Sequence, residues 1–188
     1  MTEENIQVEF DHTNEDQNRK PDEIYKKWFK AGDLSGFLSV RMWADAGLLN
    51  IDIGQTKNNE LSSHAAAYVP VVKLLTYLRA VNNGYAPNLY NDEVFVHYGG
   101  SMNEGNPISR IFKIEYWKGD PSAFHWKIGH FRATRTAQGA YTPNMKEELR
   151  RDSIKVTRVE MAEITSWIEI AVASCIASNP NWVYEKAR

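Results

Sequence analysis

A single cysteine, Cys175, stands in a chain of 188 residues. No disulfide can form within such a chain, and a reducing compartment or indifference to redox is expected. Cysteine and histidine pairs at zinc spacing are absent. So are the glycine-rich phosphate loops, the GxSxG elbow and the HExxH helix that would announce nucleotide, hydrolase or metalloprotease chemistry. The five histidines, His12, His64, His97, His125 and His130, are scattered. His125 and His130 lie five apart, which on a strand puts them on opposite faces, so structural or surface roles are favoured over a site. Neither a metal, nor another cofactor, nor an enzymatic step is expected. Long hydrophobic runs are also missing. The most apolar stretch, Trp167 to Ile176, is broken by Glu169 and Ser174 and is too short to span a bilayer. The first residues, MTEENIQVEF, are acidic and lack the apolar core of a signal peptide. A soluble protein of the cytoplasm is expected, or of the nucleoid or host-cell interior if the source is viral.

Hydrophobic residues make up 43% of the chain and charged residues 24%, enough for one core of ordinary size, but the aromatic share of 12% is high. Surplus rings serve either as large core residues or as a surface on which something stacks. The net charge of −2 hides a division. Residues 1–24 hold eight acids against Arg19 and Lys20, a net −6, whereas residues 107–158 hold eleven Lys and Arg against five acids, a net +6. An acidic tail beside a basic, aromatic body is the asymmetry to be explained.

Residues 1–22 have almost no apolar anchors and read as an unstructured tail, followed by one domain over 23–188 with lobes at about 34–92 and 93–180. A short helical turn is expected at Asp22–Lys30. Period-two alternation marks strands in GFLSVRMW and LLNIDIGQT, joined by a turn at Asp45–Ala46–Gly47. A polar connector leads to Pro70, which opens a helix striped by Val71, Leu74, Leu75, Leu78 and Val81 and stopped near Gly84. The second lobe reads as a strand at EVFVHY, a Gly/Asn-rich loop (GGSMNEGNP), then strands ISRIFKIEYW and FHWKIGHFRATRT joined at KGDPSA. A bend at GAYTP and a charged loop, Lys146–Asp152, lead to the strand SIKVTRV and a helix carrying Met161, Ile164, Ile168, Ala171 and Cys175 at helical spacing. The order β-β-α then β-β-β-β-α predicts an α+β fold of two antiparallel β lobes, each followed by a helix.

Residues 108–158 interleave cations with rings. His125, Lys127, Phe131 and Arg135 share one face of their strand, opposite Trp126, Ile128, His130 and Arg132. On the neighbouring strand Arg110, Phe112, Tyr116 and Lys118 lie opposite Lys113 and Trp117. Cations that neutralise phosphates beside rings that stack on unpaired bases are what a single-strand binder needs. The same pattern also fits core strands whose Lys and Arg neighbours point to water, and both readings stand at this point.

The run from Phe124 to Ile176 resembles the PC4-like and Whirly single-stranded-DNA-binding proteins. A lysine-bearing strand (HWKIGHFRA) passes through a Gly/Pro bend (GAYTP) to a β segment (SIKVTRV) that leads straight into a Trp-containing amphipathic helix (EMAEITSWIEIAV), with RIFKIEYWKGD as the strand before it. Two β-lobe-plus-helix units in one chain also fit Whirly proteins. The sequence departs from that pattern in having no Lys-Gly-Lys-Ala-like segment and only two clear strands, not four, in its first half. The resemblance implies binding of single-stranded DNA or RNA along the β surface, with Arg110, Lys113, Trp117, Lys127, Phe131, Arg132 and Arg135 as contacts. It also implies a homo-oligomer formed through the helix, with Trp167 and Ile168 as candidates. The expected setting is replication, recombination, repair or transcription, with a phage or plasmid as one candidate source. The acidic tail would contact partner proteins or the chain's own binding site, or serve only to keep the chain in solution. The alternative is a protein-interaction or structural module with exposed aromatics and no nucleic-acid binding.

Overall fold

The computed structural model describes residues 22–31, 34–57, 60–85, 94–117 and 119–186. Its strands form two antiparallel four-stranded meanders, each running directly into a helix. The first sheet holds β1 (Asp22–Ala31), β2 (Leu34–Trp43), β3 (Leu48–Lys57) and β4 (Glu60–Pro70), followed by α1 (Val71–Asn82). The second holds β5 (Phe95–Asn103), β6 (Asn106–Trp117), β7 (Asp120–Arg135) and β8 (Tyr141–Thr157), followed by α2 (Arg158–Ser178) and a short α3 (Trp182–Lys186). The two lobes each closed by a helix, and the four strands of the second, are as expected, but the first also contains four strands where two were expected.

The two extra strands of the first lobe correct the sequence reading. Asp22–Lys30 is no helical turn: Tyr25, Lys27 and Phe29 pair opposite Val40, Leu38 and Gly36, so pairing with β2 imposes the extended form. The polar connector before Pro70 is β4, where Ala65, Ala67 and Val69 face inward. Alanines carry too little hydrophobic contrast for that alternation to stand out. In the second lobe the Gly/Asn-rich loop shrinks to a turn at Glu104–Gly105, because β5 continues to Asn103 and β6 starts at Asn106. The charged stretch Lys146–Asp152 is not a loop either. It belongs to β8, the edge strand, where the exposed charges of residues 146–151 are compatible with a strand and discourage pairing with other chains, while Asp152 is buried and accepts from Ser63 of β4. Residues 1–21, the bulk of the acidic tail, lie outside the described residues.

The inner faces of both sheets and both long helices share one core. It joins Leu38, Val40, Ile51, Ile53 and Val69 of the first sheet and Leu74 and Leu78 of α1 to Phe112, Ile114, Trp126 and Ile128 of the second and Met161, Ile164 and Ile168 of α2. Trp126 keeps its buried indole N–H satisfied by donating to Met161 Sδ at 3.2 Å. Thr157 and Glu160 form a reciprocal capping box at the start of α2, and Lys27 of β1 pairs with Glu160. The expectation of a stretch too short to cross a bilayer is also corrected. α2 starts where β8 ends, at Arg158, and its 21 residues are long and apolar enough to span one by length and composition. Its Met161, Ile164, Thr165 and Ile168 are nevertheless buried in the protein core.

The two sheets meet where the β4 edge faces the inner side of the second sheet. Edge carbonyls removed from water need donors. His130 Nε2 donates to the Ala66 carbonyl at 2.8 Å, Arg150 donates to the His64 carbonyl, and His97 bonds to the Tyr68 backbone. Burial, reinforced by the nearby charge of Lys73, pushes the His97 imidazole down to about 4. Burial is also the main cause that lowers His130. These two histidines therefore join the sheets.

Candidate nucleic-acid interface

Strand alternation sorts the second sheet into two faces. Phe112 and Ile114 of β6, Phe124, Trp126 and Ile128 of β7, and Val156 of β8 turn inward and are buried. Lys113, Glu115 and Trp117 of β6, His125 and Lys127 of β7, and Lys155 of β8 turn outward on neighbouring strands. Lys113 sits directly opposite Lys127, and Glu115 opposite His125, which in turn faces Lys155. The Trp117 ring lies 4.7 Å from the His125 ring, tilted by 57°, and Lys155 Nζ stands 5.6 Å over the indole. Burial, then the charge of Lys127, holds the His125 imidazole below its usual range and so favours its neutral form.

One carboxylate neutralises part of this face. Glu115 accepts from Lys113 at 2.5 Å and from Lys127 on its other oxygen. Burial alone would raise the Glu115 carboxyl, but the hydrogen bonds and charges of the two lysines outweigh it and hold the group at about 2. Lys155 pairs with Asp120 at 2.7 Å, Arg151 with Glu148 at 2.5 Å and Arg132 with Glu147 at 3.4 Å. The basic surplus of residues 107–158 is thus laced with acids, and Lys113 and Lys127, sharing one glutamate, leave a local excess of positive charge.

The expected contacts scatter more widely than the sequence implied. Lys113, Trp117 and Lys127 come together on the outer face. Phe131 has the same orientation but is only 3% exposed. Its ring lies over Gly129, where a Cβ would come within 2.6 Å, so it is no free stacking surface. Arg110 points the other way, with its guanidinium 6.0 Å over the Tyr68 ring of β4 and bonded to Ser101; it belongs to the joint between the sheets. It lies on the face of Phe112, and a core Phe112 carries Arg110 inward with it. Arg132 and Arg135 are exposed near the end of β7, past the core; Arg135 stands 6.0 Å over the Tyr141 ring. Of the two oligomerisation candidates, Trp167 is 50% exposed, whereas Ile168 is 0% exposed and part of the chain's own core, so it has no surface to offer a second subunit. His125 and Lys155 were not expected as contacts. His125 shares the strand face of Lys127, a signal already in the alternation, but Lys155 joins the site only through the β7–β8 register.

Two four-stranded meanders that each pass into a helix, with both helices in a common core, are the Whirly-type arrangement. The crystal structure of WHY3 from Arabidopsis thaliana matches with a TM-score of 0.52 at 12% identity, over 87% of this chain and 96% of that one. A structure of the plant transcriptional regulator PBF-2 gives 0.48 at 12% identity over 85% and 88%, and one of WHY1 from A. thaliana gives 0.47 at 13% identity over 78% and 87%. At such identities the likeness is one of fold. No protein-family model matches the chain, and no curated protein matches its sequence.

Proposed function

We propose that this chain binds single-stranded nucleic acid on the outer face of its second sheet, without an enzymatic step, inside the cell, in replication, recombination, repair or transcription. The observation that carries the reading is Trp117, held between His125 and Lys155 on a face where Lys113 and Lys127 stand side by side. A ring with a lysine over it and two more lysines on the same face offers a base a stacking partner and its phosphates a counter-charge. The Whirly-type fold supports the reading through the resemblance that first suggested it. Anisotropy of labelled mixed-sequence single strands at two salt concentrations tests it. Trp117→Ala should weaken binding without changing the salt slope, and Lys127→Ala should weaken it and flatten the slope. Equal binding by both variants and the parent would remove the proposal.

In this reading α2 joins copies of the chain, because Val159, Trp167 and Ile170 remain largely exposed on it. Trp167→Glu should lower the mass measured by light scattering. The acidic residues Glu3, Glu4, Glu9, Asp11, Glu15 and Asp16 would compete with phosphates for the basic face, so replacing them with amides should tighten binding most at low salt. The same exposed apolar residues, together with the acids lacing the basic face, favour a protein-interaction module as the second reading. An electrophoretic shift with single strands separates the two.

A further inference from the structure

The outer face of the first sheet carries a row of rings that runs across all four of its strands. Trp28 of β1 pairs opposite Phe37 of β2, Phe37 opposite Gly54 of β3, and Gly54 opposite His64 of β4. The Trp28 and Phe37 rings are 5.3 Å apart, and the Phe37 and His64 rings 6.1 Å apart and within 22° of parallel. Gly54 makes the row continuous. A Cβ there would come within 2.3 Å of the Phe37 ring, so only glycine lets that ring lie across β3 toward His64.

Each end of the row is held. Lys26 Nζ stands 5.8 Å over the Trp28 ring. His64 Nε2 bonds to Asp52 Oδ1 at 2.9 Å, and Asp52 is itself buried and paired with Arg41 at 3.3 Å. Arg150 reaches the His64 carbonyl from β8 and adds a cation at that end. An aromatic ring covering a strand glycine is a common way to fill the gap, and it accounts for Phe37. It does not account for Trp28, which covers no glycine among the described residues and remains 54% exposed, nor for an imidazole fixed in place by a buried carboxylate.

We infer that the row formed by Trp28, Phe37 and His64 is a second stacking site for the unpaired bases of a single strand, with Lys26 and Arg150 placed for its phosphates. Successive ring faces on neighbouring strands take bases with little regard to sequence. The inference rests on the single-strand reading but concerns a different sheet from the Trp117 face.

Photocrosslinking of the full chain to a dT strand bearing 5-iododeoxyuridine, with adducts mapped by mass spectrometry, tests the row without altering the protein. Adducts are expected at Trp28 or Phe37. In parallel, Trp28→Ala should weaken binding of the plain dT strand about tenfold with its salt slope unchanged, as loss of a stacked base requires. Adducts confined to the second sheet, together with parental affinity in Trp28→Ala, would overturn the row and leave the Trp117 face standing. Adducts on the row with no effect of Trp117→Ala or Lys127→Ala would keep the row and overturn the second-sheet site. No binding of the strand by the parent would end both.

Discussion

Replacing Glu115 with glutamine should make the second-sheet face a better ligand for phosphate, although the change removes two ion pairs. Glu115 takes hydrogen bonds from Lys113 and Lys127, and the two lysines hold its carboxyl at about 2, so it is fully charged at neutral pH. In the parent, a strand arriving at Lys113 and Lys127 must displace or share that negative charge. Glutamine has the same shape and still accepts one hydrogen bond, but it leaves both ammonium groups without a counter-charge of their own. The lysine side chains are about one-third exposed, 40% and 30%, so the lost pairs should cost the fold no more than about 1 kcal/mol. Each additional phosphate neutralised on a single strand steepens the dependence of log K on log salt by about 0.7. For one extra contact, the affinity ratio of variant to parent should therefore grow about threefold on a fivefold dilution of salt. Anisotropy titrations of a labelled single strand along a salt series measure both quantities. An unchanged slope, or weaker binding by a variant whose unfolding curve matches the parent's, would show that these lysines do not meet phosphate.

Ile168→Asp buries a carboxylate in the core beside Met161 and Ile164, and urea titration should show a loss of at least about 3 kcal/mol or no folded protein at all. Thr157→Ala removes one half of the α2 capping box and should cost about 1 kcal/mol in the same assay, with no change in single-strand affinity. Between pH 6.5 and about 4 the unfolded chain binds a proton at His97 that the folded chain excludes, so stability should fall as pH falls through that window. The full shift corresponds to about 3 kcal/mol, and His97→Gln should flatten the decline; an equally steep decline in that variant would assign the acid sensitivity to other groups.

Periodicity alone revealed β2, β3, β6, β7 and both long helices, because their apolar residues are large and recur at the spacing of the element. The order of these elements, with the passage from SIKVTRV into a Trp-bearing helix, was sufficient to suggest the Whirly-type architecture. Alternation also placed Lys113, Trp117 and Lys127 on one side of their strands. Tertiary structure decided the rest. Tyr25, Lys27 and Phe29 become one face of β1 only because β2 offers a partner edge, and the small inward residues of β4 count as core only once α1 and the second sheet cover them. Which cations face solvent together depended on register. Lys155 meets Trp117 across β7, whereas Arg110, equally basic in the sequence, follows Phe112 inward to the joint between the sheets. A one-dimensional pattern specifies which residues share a face of a strand. It does not specify which face is buried, which strands lie side by side, or which acid ends up beside which lysine, because those follow from contacts between residues far apart in the chain.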